Sequence, residues 1–146
     1  MLFRSEDQRL SFAQFNRRVN RLANALRDMG LRKGDKLATI LPNCLELLEI
    51  YWAVAKIGVV VVPLSPLLRG QGLVRLLNDS DAVAVITNQD FSRILDPLRI
   101  ELPYIRPQRY LLTDGRDVRG FHYYHDLNGR ASDQEPPRTE IGRAHV

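Results

Sequence analysis

Several groups of side chains in this 146-residue chain have the types and spacing that chemistry requires. His122 and His125 stand three apart with Asp126 beside the second, which on a helix could bring three ligand atoms to one metal ion. No fourth ligand accompanies them, and residues 121–127 show no helical periodicity. Cys44 sits where a helix should begin, and the backbone dipole there could lower a thiol pKa. A cysteine packed into a first turn needs no such role. Gly70 and Gly72 form a G-x-G pair, but no strand leads into it and no third glycine follows. A dinucleotide loop needs closely spaced glycines between strand and helix, so that backbone amides can approach the pyrophosphate. A flexible helix entry accounts for Gly70 and Gly72 more simply. Asp79, Ser80 and Asp81 read as a capped, solvated turn. No catalytic, cofactor-binding or metal-binding residue is therefore assigned.

The elements that would have to position such groups are legible in the apolar spacing. Residues 11–30 carry Phe12, Phe15, Val19, Leu22, Ala23, Leu26 and Met29 mainly three and four apart, the stripe of an amphipathic helix. Ser11 and Gln14 have capping-box spacing, and Gly30 can close the helix in a left-handed conformation. Residues 36–41 form a strand apolar or small on both sides, as in a parallel sheet covered by helices. Pro42 ends it. It carries no glycine turn, and the proline removes an amide that a phosphate cradle would use. Asn43 with Glu46 repeats the cap-plus-three spacing and predicts a second helix through Lys56. The β-branched block 59–62 then predicts a second buried strand, making a right-handed βαβ unit. Weaker signals continue the alternation with a helix at 71–78, a strand at 82–86, a helix capped by Asp90 through Asp96, and a strand at 110–113. The expected fold class is α/β with a largely parallel sheet. Beyond Asp114 the apolar periodicity fades.

Composition bounds the partners. Hydrophobic residues make up 45% and charged residues 26%, enough apolar material for one core and too much for a disordered tail. The single cysteine excludes an internal disulfide and suits a reducing compartment. The longest near-apolar run, 57–68, is well short of the about 20 residues that span a bilayer. No secretory signal pattern is visible, so a cytoplasmic location is expected. All but three of the 21 basic residues are arginine, and the net charge of +4 comes from residues 1–34. Arg17, Arg18, Arg21 and Arg27 are interleaved with apolar residues at amphipathic spacing, which predicts a solvated helix face. No aromatic–basic alternation supports nucleic-acid binding.

Read in order, several segments resemble the opening of the adenylate-forming superfamily of acyl-CoA synthetases, nonribosomal adenylation domains and beetle luciferases. They are Leu10-Ser11-Phe12-Ala13-Gln14-Phe15, Val19-Asn20-Arg21-Leu22-Ala23-Asn24-Ala25-Leu26, the turn Lys33-Gly34-Asp35 and Leu41-Pro42-Asn43. Ala53-Val54-Ala55-Lys56-Ile57-Gly58, Val62-Pro63-Leu64-Ser65-Pro66 and Leu77-Asn78-Asp79-Ser80-Asp81-Ala82 continue it. The similarity covers residues 10–87, with Ile57 where the family usually has alanine. It implies a whole protein that binds ATP and Mg2+, converts a carboxylic acid (a fatty or other organic acid) to an acyl-adenylate, and passes the acyl group to coenzyme A. The family's Ser/Thr/Gly-rich loop with its lysine, its aromatic-Gly-x-Thr-Glu and Thr-Gly-Asp segments and its C-terminal lysine all lie downstream in family members. None occurs in this sequence. The resemblance thus implies no cofactor held by these residues and a truncated, inactive AMP-dependent ligase.

The expected organisation is a partial N-terminal α/β subdomain at 1–113, a weakly ordered connection at 114–139, and a tail at 140–146. That tail, Glu140-Ile141-Gly142-Arg143-Ala144-His145-Val146, looks like the translation of a sequencing adapter. A piece of this kind is expected to expose apolar sheet surface. The alternative is a self-contained, non-catalytic α/β binding domain that docks an acidic partner on the basic face of its first helix.

Overall fold

The computed structural model of the chain describes residues 2–5 and 8–138, with side chains from Leu10 onward. The tail expected at 140–146 lies outside the described residues. An antiparallel hairpin of β1 (Leu2–Ser5) and β2 (Gln8–Ser11) leads straight into α1 (Phe12–Asp28). Ser11 and Gln14 close the capping box reciprocally, with side-chain-to-backbone hydrogen bonds of 2.8 and 3.1 Å. Gly30 leaves the helix at φ +99°, a conformation that favours glycine.

The alternation then runs β3 (Lys36–Ile40), α2 (Leu45–Ile57), β4 (Val60–Pro63), α3 (Gly70–Asp79), β5 (Ala82–Thr87) and α4 (Gln89–Leu95). Two short 3-10 turns, Asp96–Glu101 and Pro107–Arg109, lead to β6 (Tyr110–Leu112), β7 (His122–Tyr123) and α5 (Tyr124–Arg130). The five strands β4-β3-β5-β6-β7 pair in that order, all parallel. Val83 is an extra residue in β5, because Lys36 pairs with Ala82 and Leu37 with Ala84.

Both faces of the sheet are covered by the chain's own helices. Leu37, Ala84, Ile86 and Leu111 point to one face, packed by α1, α2 and Tyr124 of α5. Ala38, Ile40, Val85 and Tyr110 point to the other, packed by Leu73 and Leu77 of α3 and Phe91 and Leu95 of α4. The sequence expectation of bare apolar sheet is therefore corrected: of the exposed large apolar groups only Val60, on an edge strand, belongs to the sheet, and the others, Trp52, Leu67 and Ile100 among them, lie on helices, turns and loops.

Four local expectations change as well. The block 59–62 was expected inside the sheet, but β4 is its edge and Val60 is 46% exposed. β-branched composition marks a strand without fixing its rank in the sheet. Cys44, not Asn43, is the N-cap of α2, and it makes no side-chain cap bond. α4 is capped by Asn88, whose Oδ1 accepts from the Phe91 amide at 2.9 Å, while Asp90 sits in the first turn. Finally, residues 114–138 contain β7 and α5. The helix is seven residues long with only Tyr124 and Asn128 buried, too few to register as periodicity.

Candidate functional site

Among the described residues, a set of ionisable groups converges where α1, α2 and α5 meet. Glu49 lies mid-helix on α2, four residues after Leu45 and four before Ala53, and so on the stripe that faces α1. It is 2% exposed. Tyr124, the first residue of α5 and fully buried, donates its hydroxyl to Glu49 Oε1 at 2.6 Å. Arg18 of α1 brings Nε against Glu49 Oε2 as an ion pair. Outside this core His125 Nε2 stands 3.9 Å from Glu46 Oε2. Arg21, Asn128 and Gly129 complete the walls of a cleft of about 160 Å³.

The electrostatics follow from burial. Desolvation pushes the Glu49 carboxyl above the usual carboxylate range, against the pull of Tyr124 and Arg18. Burial, reinforced by Glu49, pushes the Tyr124 phenol far up, so it stays protonated and keeps donating. His125 is lowered, first by burial and then by Arg18, against Glu46 and Asp126. A carboxyl raised beside an imidazole lowered is the material of general acid–base catalysis. Here, however, both Glu49 oxygens are engaged and the phenol points inward. What the cluster does is hold α5 on the α1–α2 pair.

The residues singled out in the sequence fall elsewhere. The Cys44 thiol is half-buried, and its pKa is raised, chiefly by burial, so the helix start does not activate it. His122 lies on β7, while His125 faces Glu46 and Asp126 pairs with Arg116 at 3.4 Å. Among the described residues no three His, Cys, Asp or Glu side chains converge as a metal site. Gly70 and Gly72 open α3, with free space where a Cβ would stand. Ser80 donates to the Leu77 carbonyl at 2.9 Å, closing α3 before Asp81 turns the chain at φ +60°. Of the basic face, Arg17 and Arg27 are exposed as expected. Arg18 and Arg21 are engaged inside the molecule, which corrects their reading as solvated.

Parallel sheets of this kind offer a crevice at the carboxyl ends of the strands where the order reverses, here between β3 and β5. The groups there are already committed. Thr87 Oγ1 donates to the Ile40 carbonyl at 2.7 Å, and the Thr113 amide to the Thr87 carbonyl at 2.9 Å. Asp114 Oδ1 takes the Gln89 amide at 2.7 Å, and Pro42 has none to give. These residues do not fit a nucleotide phosphate or its Mg2+.

A family model described as "AMP-binding enzyme" matches residues 1–140. The chain belongs to the AMP-binding enzyme family. It is 33% identical over 97 residues to the long-chain-fatty-acid–CoA ligase FadD13 of Mycobacterium tuberculosis, an alignment covering 66% of this chain and 19% of that protein. It is 37% identical over 86 residues to a crotonobetaine/carnitine–CoA ligase of Salmonella arizonae, covering 59% and 17%. Among solved structures it resembles a Mycobacterium tuberculosis fatty acyl CoA synthetase, with TM-score 0.78, 27% identity, 93% of this chain and 26% of that one. The anthranilate CoA ligase AuaEII, bound to anthranoyl-AMP, shares the fold with TM-score 0.82 at 21% identity, over 88% and 24% of the two chains. The chain thus spans about a fifth of the length of the curated relatives it matches. Like these solved structures, it carries the alternating α/β layer with a parallel sheet, as the sequence leads one to expect.

Sequence reasoning left out Glu49, Tyr124 and Arg18 as a set. One signal was available: a carboxylate on the same stripe as Leu45 and Ala53 requires a buried partner.

Proposed function

We propose that this chain is scaffold from an AMP-forming acid–CoA ligase and has no ligase activity by itself. In the whole enzyme a carboxylate oxygen, from a fatty acid in the favoured case, attacks the α-phosphorus of ATP and pyrophosphate leaves. The thiol of coenzyme A then attacks the acyl carbon of the adenylate, and AMP leaves. Charge neutralisation at the α-phosphate is the physical requirement of the first step. The family match over residues 1–140 carries the reading. It is supported by the engaged state of the polar groups at the sheet's switch point and in the α1–α2–α5 cleft, which leaves the reaction to residues beyond these. A cytoplasmic location accords with it, since among the described residues no helix is long and apolar enough to cross a membrane. The binding-domain alternative has less to stand on, because Arg18 and Arg21 are already paired within the chain.

ATP–pyrophosphate exchange tests both halves. The 146-residue chain should show no exchange with any fatty acid, while protein expressed from the gene extended downstream should exchange and form acyl-CoA. Exchange by the short chain, or an extended protein that activates no carboxylate, would overturn the proposal.

A further inference from the structure

Asn16, Asn20 and Asn24 recur every fourth residue on α1, so their carboxamides form a ladder along one side of the helix. The chain leaving α5 runs back along that ladder. Asn24 Nδ2 donates to the carbonyls of Ser132 and Gln134 at 2.8 and 2.9 Å. Asn20 Nδ2 donates to the Asp133 carbonyl at 3.0 Å and to Glu135 Oε2 at 2.9 Å. Asn16 Nδ2 reaches the same carboxylate oxygen at 3.1 Å, and Arg21 holds the Ala131 carbonyl at 3.1 Å.

Lys56, in the last turn of α2, completes the arrangement. Its Nζ donates to the Oδ1 atoms of Asn16 and Asn20 at 2.9 and 2.7 Å, which turns both amide NH2 groups toward the passing chain. It also pairs with Glu135 Oε1 at 2.7 Å. These contacts hold the Glu135 carboxyl down at about 2, Lys56 first and then the asparagines.

The ladder grips backbone carbonyls and one carboxylate, and it reads no apolar side chain. Ser132, Gln134 and Glu135 are exposed, and residues 132–135 include no hydrophobic residue. This attachment differs in kind from that of α5, which is anchored by the buried Tyr124. Apart from the buried Asn20 and Ala131, these contacts are polar and open to water, and such contacts break at low cost and re-form without reorganising a core. Pro136 and Pro137 follow at once, a stiff exit with no amide to donate.

We infer that the asparagine ladder of α1 is a docking groove for an extended peptide main chain, that residues 131–135 are its resident occupant, and that this strap detaches and returns while the α/β layer stays folded, with Lys56–Glu135 as the latch. The inference stands apart from the ligase reading, because it rests only on contacts within this chain.

NMR on the full chain tests it through two readouts: hydrogen exchange of the Asn20 and Asn24 side-chain NH2 groups, and backbone order parameters for residues 131–135. Glu135→Gln, at an exposed position, should speed the side-chain exchange on the order of three- to tenfold and loosen the strap. Exchange of the β3 and β5 amides should not change. Lys56→Met should do the same, and high salt should mimic both in the unaltered chain. If strap and sheet amides open together with one denaturant dependence, the strap leaves only on global unfolding and the inference fails. It fails equally if neither substitution changes the side-chain exchange.

Discussion

The two faces of the sheet solve the same packing problem with different chemistry. Against Ala38, Ile40 and Val85 the cover is Leu73, Leu77, Phe91 and Leu95, an apolar layer that only has to exclude water. Against Leu37, Ala84 and Ile86 the cover begins the same way, with Leu22, Leu26, Ile50 and Ala53. It then takes in a buried carboxylate, a buried phenol and an arginine, and finally a strap held by side-chain amides. The contrast separates adhesion from alignment. Apolar contact is non-directional, so it seats α3 and α4 on the sheet by shape, with hydrogen bonds only at their ends. Hydrogen bonds are directional, so Glu49 can admit only one placement of the short helix α5, which buries too little apolar surface to be held otherwise.

Substitutions can break this contrast. The largest effect should come from the apolar face: Leu77→Ala should cost about 2–5 kcal/mol in urea unfolding, with no dependence on pH. Glu49→Ala should cost about 2–3 kcal/mol, because it strands the Tyr124 hydroxyl and Arg18. Its signature should also be local, with circular dichroism and hydrogen exchange reporting loss of α5 before loss of the sheet. An equal and purely global loss from both variants would erase the distinction between the faces.

Titration sharpens the comparison at smaller amplitude. Glu49 is raised above its ordinary 4.5, so the folded state binds its proton more tightly than the unfolded state does. Relative to Glu49→Gln, the unaltered chain should therefore gain stability as pH falls through the raised value toward 4.5, and lose it as pH rises. His125 carries the opposite sign. It is lowered from 6.5, so its contribution is present above that pH and is lost on acidification through the folded value. His125→Gln should remove that acid-side loss. Unfolding free energies of the three proteins at matched pH values check both slopes. The smallest effect is a control at the exposed start of α1, away from the buried cluster: Ser11→Ala should cost about 1 kcal/mol by opening the helix cap.

Much of the alternation was legible because it rests on local signals. The Ser11–Gln14 box, the stripe from Phe15 to Leu26 and the apolar runs of β3 and β5 each need only near neighbours in sequence. Strand rank was not legible, since the same valines suit a centre or an edge and pairing partners decide. The hairpin β1–β2 and the helix α5 were missed for a related reason. The hairpin strands are four residues each, and α5 exists through Tyr124 meeting Glu49 across 75 positions of sequence. The polar cleft left only one local trace, Glu49 on the apolar stripe of α2, because its partners lie far along the chain. The asparagines at 16, 20 and 24 were in view throughout, but their spacing acquires meaning only beside residues 131–135.

Because all five strands run the same way, the molecule has two chemically unlike rims. The rim where strands begin holds two reversals in the left-handed region, at Gly34 with φ +90° and at Asp81 with φ +60°. The rim where they end carries Pro42, Asn88 and Asp114. Labels or fused proteins for following this chain therefore belong at the first rim, beside Lys33 or Ser80, where they leave the carboxyl ends of the strands uncovered.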